Sequence, residues 1–153
     1  MEHVQVPDYE ADVCVAFAQG NIGKAVQLAT SDSFNEIKNS ALHLLKNVSK
    51  MEINDIIATV KSVSEFKIDI QDYLDFLAVW YRDILYFKAT RDSNGLIFKD
   101  ELNVITDQIN KSSYEGIENI LRGLQTAKTR LNANVNFDLT MELLFLLIKE
   151  NLV

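Results

Sequence analysis

The residues with the most recognisable chemistry are three evenly spaced carboxylates. Asp69, Asp72 and Asp75 recur at intervals of three, which places them near one face of a helix. A carboxylate di-metal site in a helical bundle also needs Glu-x-x-His pairs, and the sequence contains no such pair. Asp69 and Asp72 fit better in the first turn of a helix, where the helix dipole favours acids. The sequence therefore favours a solvated acidic turn and predicts no metal site.

A second candidate is the glycine–lysine run at residues 20–25, which reads GNIGKA. A phosphate-binding loop has four residues between its glycines and a Ser or Thr after its lysine. Here two residues separate Gly20 from Gly23, and Ala25 replaces the hydroxyl that would bind Mg²⁺. We interpret the run as a turn between helices, with Gly20 ending the first of them. No cofactor is predicted.

The remaining reactive side chains also have structural interpretations. His43 falls beside the apolar stripe of its helix and is expected at the surface. Cys14 lies among apolar residues without a nearby His or cation, so we expect a small buried hydrophobe rather than a nucleophile. Because it is the only cysteine, an internal disulfide is excluded, and a reducing cytoplasmic location is expected. With no catalytic setting in the sequence, we predict no catalytic residue and no enzyme activity.

Composition is that of a folded domain. The chain has 153 residues, of which 48% are hydrophobic, and only one proline and five glycines. Its net charge of −7 argues against direct binding to nucleic acid, which usually requires a basic face. No apolar run approaches the roughly 20 residues of a membrane span.

Apolar residues recur at three-and-four spacing along most of the chain, which predicts an all-α fold. Two short helices are expected before residue 30. Capping-box spacing at Ser33–Glu36 and Ser112–Glu115 predicts two helix starts, and Asn136 is expected to cap the last helix. The predicted helices after residue 30 are 34–48, 53–65 (with Ile53, Ile56, Ile57, Val60 and Val63), 69–90, 100–109, the helix after Ser112 up to 132, and 137–151.

Residues 69–90 form the longest and most aromatic of these helices, and we expect the others to pack around it. It contains Trp80 and the pair Arg82 and Asp83, for which two interpretations remain open. The pair lies on the solvated face, or it lies at a rim where another subunit packs. Gly116 and Gly123 are expected to allow close packing of their helix.

The last helix is apolar on nearly every side. Such a helix is central in a core or shared with a partner. Since residues 69–90 already supply a central helix, we expect part of the last helix, around Leu146 and Leu147, to face a partner.

Three segments, in this order and at these distances, resemble one family. They are residues 18–25 (AQGNIGKA), 76–85 (FLAVWYRDIL) and 130–144 (RLNANVNFDLTMELL). The third, with Arg130, Asn134 and Asn136, is the most specific. They resemble the C-terminal half of the delta-prime subunits of the bacterial DNA polymerase III clamp loader. The related delta and gamma/tau subunits share this architecture and are alternatives.

The resemblance implies a domain division and a function. Residues 1–30 would be the end of a helical AAA+ lid, and residues 31–153 a helical collar domain. Gly23 stands where ATP-binding relatives carry an arginine. The collar would hold subunits in a hetero-pentameric ring with gamma/tau and delta during DNA replication, while DNA and the sliding clamp are contacted only through a missing N-terminal part.

Together these considerations give a set of candidate residues for an interface or for the structure that supports it. They are Trp80, Arg82, Asp83, Arg130, Asn134, Asn136, Leu146 and Leu147. Two other functions remain open. One is a helical adaptor that binds protein outside replication, and the other is an enzyme with a pocket in the bundle, which the missing histidine and metal spacing disfavours.

Overall fold

The structure, a computed structural model, describes residues 32–66 and 70–152. Within these residues the chain forms six α-helices and no strand, which confirms the predicted all-α fold. The helices are α1 (Asp32–Asn47), α2 (Ile53–Val63), α3 (Ile70–Thr90), α4 (Leu102–Lys111), α5 (Tyr114–Asn132) and α6 (Phe137–Glu150). Short 3-10 helices lie at Val48–Lys50, Ser64–Phe66, Ser93–Gly95 and Lys99–Glu101. The predicted features at Cys14, residues 20–25 and Asp69 lie outside the described residues.

Two of the predicted helix starts are wrong by about one residue. Helix α5 is capped by Ser113, whose side chain accepts a hydrogen bond from the Gly116 N–H at 2.9 Å. The preceding Ser112 is buried, and its hydroxyl donates to the Gln108 carbonyl at 2.7 Å. Helix α1 already begins at Asp32, so Ser33 lies inside it rather than at its cap. The prediction at residue 112 fails because the capping-box spacing pairs Ser112 with Glu115, whereas it is the hydroxyl of Ser113, one residue later, that accepts from a free helix N–H.

Helix α3 is the centre of one half of the bundle. It packs against α1, α4 and α5, while α6 packs against α5 and α2. The expectation that the other helices surround α3 is therefore confirmed for three helices. Ten of its side chains are buried: Ile70, Tyr73, Leu74, Phe76, Leu77, Trp80, Tyr81, Asp83, Ile84 and Phe87.

Trp80 joins three helices through one polar chain. Its indole N–H donates to the Gln108 side-chain oxygen at 3.0 Å, and the Gln108 amide donates to the Leu45 carbonyl at 2.7 Å. Both bonds are buried, where an unpaired polar group would be costly. They fix α3, α4 and α1 relative to one another, and the Phe98 ring packs 5.2 Å from the Trp80 ring.

Asp83 holds the irregular segment between α3 and α4. Its carboxylate is only 4% exposed and accepts hydrogen bonds from the Ile97 N–H at 2.9 Å and the Phe98 N–H at 2.8 Å. Burial raises the pKa of this carboxyl, and the N–H donors of Phe98 and Ile97 oppose that rise. The two interpretations of the Arg82–Asp83 pair are therefore both wrong for Asp83. It lies on the buried face of α3, and only Arg82 is exposed.

Replacing Asp83 by Asn tests this role. The amide keeps the volume, but it replaces charge-assisted hydrogen bonds by neutral ones. With its oxygen in the place of Oδ2, its NH₂ group takes the place of Oδ1, which lies 3.1 Å from the Ile97 nitrogen, and two donors then face each other. We expect the free energy of unfolding to fall by about 2–4 kcal/mol. Urea unfolding followed by circular dichroism measures the change.

The matched control is Asp107→Asn, which removes an exposed carboxylate paired with Lys111 at 2.9 Å. Such surface pairs contribute little, so its unfolding free energy should stay within about 0.5 kcal/mol of the parent. Equal losses from the two substitutions would contradict a structural role for Asp83.

At Tyr81, removal of a buried polar group is not expected to lower the free energy of unfolding. Its phenol oxygen is buried and has no hydrogen-bond partner among residues 32–66 and 70–152, and burial raises the pKa of this phenol. Tyr81→Phe removes this unsatisfied group and should leave stability unchanged or raise it by about 1–2 kcal/mol. The control is Tyr86→Phe, which removes an exposed hydroxyl bonded to Asp92 at 3.3 Å and should change little. A clear loss from Tyr81→Phe in thermal unfolding would show that its hydroxyl is satisfied.

Candidate protein-docking face

Helix α6 leaves leucines exposed although its other side is deep in the core. Thr140, Met141, Leu144, Phe145 and Ile148 are buried. On the opposite side Leu139 is 53% exposed and Leu143 is 47% exposed. Leu146 and Leu147 continue this stripe at helical spacing and are half-buried. We call these four leucines the α6 face.

The turn before α6 determines its direction. Asn134 adopts a left-handed backbone conformation with φ 59°, which Asn tolerates better than most residues. The Val135 N–H then donates to the Arg130 carbonyl at 3.0 Å and closes the end of α5. Asn136 caps α6 as predicted, because its side chain accepts from the Leu139 N–H at 2.9 Å. Asn134 and Asn136 thus reverse the chain between two packed helices.

Close contact between α5 and α6 depends on Gly123. A Cβ atom at this position would lie 2.1 Å from a terminal methyl of Leu147, far inside normal contact distance. At Gly116 the space is less restricted, since a Cβ would lie 3.1 Å from the Asn151 carbonyl oxygen. The predicted role in close packing is therefore confirmed for Gly123.

The predicted interface residues fall into separate places. Trp80 and Asp83 are enclosed in the core, so neither side chain reaches the surface. Arg82 is exposed and lines a depression between α3 and α5 together with Asp75 and Lys128. Arg130, Asn134 and Asn136 lie at or near the α5–α6 turn, whereas Leu146 and Leu147 lie in the second half of α6. Of these residues, Arg130 and Leu147 line one groove.

A groove with a volume of about 270 Å³ separates the ends of α5 and α6. Its lining is largely apolar, and Arg130 and Thr126 supply the polar atoms on the α5 side. Arg130 is exposed, and its guanidinium has no hydrogen bond or ion pair within the described part of the chain. The groove therefore lies between leucines of the α6 face and the positively charged side chain of Arg130.

The α6 face is bordered by charged side chains. Asp138, Glu142 and Glu150 lie on the same helix and are exposed or half-buried. Lys149 is also on α6, but its ammonium group donates to the Met51 carbonyl and anchors the helix end. An apolar centre with a charged rim is the usual composition of a protein interface.

The sequence does not single out the most exposed side chains of α6. Leu139 and Leu143 were not distinguished from the other leucines, because a helix that is apolar all round has no periodic signal. On α2, Ile53 is 59% exposed and Ile57 is 48% exposed, although both belong to the predicted apolar stripe. The exposed pair lies at the edge of that stripe, where periodicity is least informative.

The other candidate residues form no catalytic or metal-binding arrangement within the described residues. Asp75 is paired with Lys128, and His43 is exposed as predicted. Within residues 32–66 and 70–152, no cluster of three potential metal ligands occurs. No helix in the described ranges is both long enough and apolar enough to cross a membrane.

These features define an all-helical domain with an exposed apolar face, and comparison with known proteins identifies its family. Residues 42–150 match the family described as DNA polymerase III, delta subunit, C terminal, and the chain belongs to this family. It is 26% identical over 133 residues to DNA polymerase III subunit delta' of Bacillus subtilis (strain 168). This match confirms the delta-prime C-terminal resemblance predicted from the sequence.

The same comparison limits what the chain contains. The alignment covers 85% of this chain but only 40% of the Bacillus subtilis relative. No solved structure matches the chain. The chain is therefore similar to the C-terminal part of a longer clamp-loader subunit.

The Asn136 cap can be tested by mutation. Asn136→Ala removes the side-chain acceptor for the Leu139 N–H and should lower the unfolding free energy by about 1 kcal/mol. Asn136→Ser retains a capping oxygen and should recover most of the loss. Thermal unfolding of the three proteins measures both effects, and identical behaviour of the Ala and Ser variants would contradict the cap.

Proposed function

We propose that this chain is the non-catalytic collar of a clamp-loader subunit, and that its α6 face packs against a neighbouring subunit. In this function the chain performs no reaction. It holds partners in a ring while ATP binding in other subunits opens a sliding clamp for loading during DNA replication. Family membership supports the cellular process, and the exposed leucines support the mechanism of assembly.

The observation that carries the proposal is the exposure of Leu139 and Leu143 on a helix whose opposite side is buried in the core. Two neighbouring leucines about half exposed form an apolar patch that water does not favour. Continuation of the patch through Leu146 and Leu147 extends it over about two helical turns. Burial against a partner would remove this surface from water.

The wider assembly follows from the same proposal. Residues 31–153 would form the collar and residues 1–30 the end of an AAA+ lid. The partners would be gamma/tau and delta subunits in a cytoplasmic hetero-pentamer, part of the DNA polymerase III holoenzyme. DNA and the sliding clamp would be contacted through a further N-terminal part of the subunit, not through this chain.

Binding to a partner is the direct experiment. The chain is mixed at micromolar concentration with the gamma/tau subunit of its own organism, and complex formation is followed by size-exclusion chromatography with light scattering. Co-elution at a defined stoichiometry is expected. Absence of a complex would contradict the clamp-loader function and leave the adaptor function, in which the same face binds a protein outside replication.

Substitution at the α6 face locates the interface. Leu139→Glu and Leu143→Glu each place a charge in the buried contact and should weaken the complex at least about thirtyfold, corresponding to 2 kcal/mol or more. Because both side chains are already half exposed, the folded chain should keep its helical circular dichroism and its unfolding temperature. Calorimetric titration with gamma/tau measures the affinity.

The control for added charge is Asn103→Glu on α4, which packs on α3 away from α6. Its affinity for gamma/tau should equal that of the parent. Leu146→Glu and Leu147→Glu should also weaken assembly, but these residues are half-buried and their variants should lose stability as well. Unchanged affinity in the Leu139 and Leu143 variants would place the interface elsewhere.

A further inference from the structure

The groove between α5 and α6 has an apolar floor of defined shape. Gly123 and Ala127 of α5 face Leu144 and Leu147 of α6 across it. Its volume of about 270 Å³ is smaller than most small-molecule sites but suits one large side chain from a partner. Hot-spot residues at protein interfaces commonly insert one side chain into such a pocket.

Two hydrogen-bond donors lie along the α5 side of this floor. Thr126 and Arg130 are one helical turn apart, so their side chains are neighbours on the same face. Both residues are exposed. Neither side chain has a hydrogen bond or ion pair within the described residues. A guanidinium beside a hydroxyl matches a carboxylate, which accepts two hydrogen bonds in one plane.

We propose that this groove binds a segment of the neighbouring subunit in which a large apolar residue lies next to an aspartate or glutamate. The apolar side chain fills the floor over Gly123 and Leu147, and the carboxylate accepts hydrogen bonds from Arg130 and Thr126. This inference rests on the proposed assembly function and specifies the chemistry of the partner. It gives Arg130 a role in choosing the partner, beside the apolar contacts of the α6 face.

The charges favour a different subunit over a second copy of this chain. In a two-fold symmetric dimer the same patch faces itself, so the acids that border α6 would approach their own equivalents. Those acids are Asp138, Glu142 and Glu150. The net charge of −7 adds long-range repulsion between copies. A heterologous partner can present one carboxylate to Arg130 without this opposition.

The first test compares two arginines. Arg130→Gln removes the charge but keeps most of the side chain, and should weaken binding to gamma/tau about tenfold to a hundredfold. The salt dependence of the remaining affinity should also be smaller than in the parent, because one ion pair is lost. The control is Arg82→Gln, which removes an exposed arginine from the separate depression between α3 and α5 and should leave affinity and salt dependence unchanged.

The second test identifies the bound segment. A photo-crosslinking benzophenone amino acid at position 129, an exposed residue of α5 that does not line the groove, should capture gamma/tau, and mass spectrometry of the product gives the partner peptide. The expected peptide has an apolar residue adjacent to Asp or Glu. Replacing that acid in the partner by its amide should then weaken the parent complex as much as Arg130→Gln does, with no added loss when both changes are combined.

The results of these substitutions distinguish failure of the groove inference from failure of the proposed assembly function. If Leu143→Glu abolishes binding and Arg130→Gln leaves it unchanged, the assembly function stands and the groove inference is overturned. If a complex forms and neither substitution affects it, the α6 face fails as the interface. If no complex forms, the clamp-loader function fails, and the groove inference that rests on it fails as well. Crosslinking within the chain, to a second copy, or to a peptide without an acid would each overturn the proposed occupant.

Discussion

The buried carboxylate of Asp83 is the interaction on which the rest of this bundle depends. It satisfies two backbone N–H groups of a segment that belongs to neither α3 nor α4, and so lets Phe98 enter the core. The Phe98 ring then lies 5.2 Å from both Phe76 and Trp80. With Trp80 linked to Gln108, the three helices α1, α3 and α4 have one mutual arrangement rather than several apolar ones of similar energy.

Helices α1, α3 and α4 form one side of the bundle, and the exposed apolar surface lies on the other side, on α6. Helix α5 packs on both α3 and α6, so the position of α6 relative to the core depends on α5. Gly123 lets the two helices approach closely, and the Asn134–Asn136 turn sets the direction of α6. The α6 face is thus a consequence of a short turn and a missing Cβ, not of an extended loop. Such a face is well positioned because its helix is anchored on the buried side.

Residues 130–144, the segment with the most specific family resemblance, have different structural roles. Asn134 and Asn136 form the turn and the cap, so their identities follow from backbone geometry. Arg130 contributes its carbonyl to that turn while its guanidinium remains exposed beside the groove. The leucines divide between core and surface within one helix. A single sequence pattern therefore encodes both the position of α6 and the chemistry that it offers.

The sequence by itself determined the all-α class, the limits of most helices within a few residues, the Asn136 cap and the family. These follow from local rules, since helical periodicity and capping depend on residues a few positions apart. Tertiary structure alone decided that Asp83 is buried, that Ser113 rather than Ser112 caps α5, and that Leu139 and Leu143 remain uncovered. Burial depends on which distant helix packs against a given face, and in the uniformly apolar α6 the sequence contains no signal for that choice.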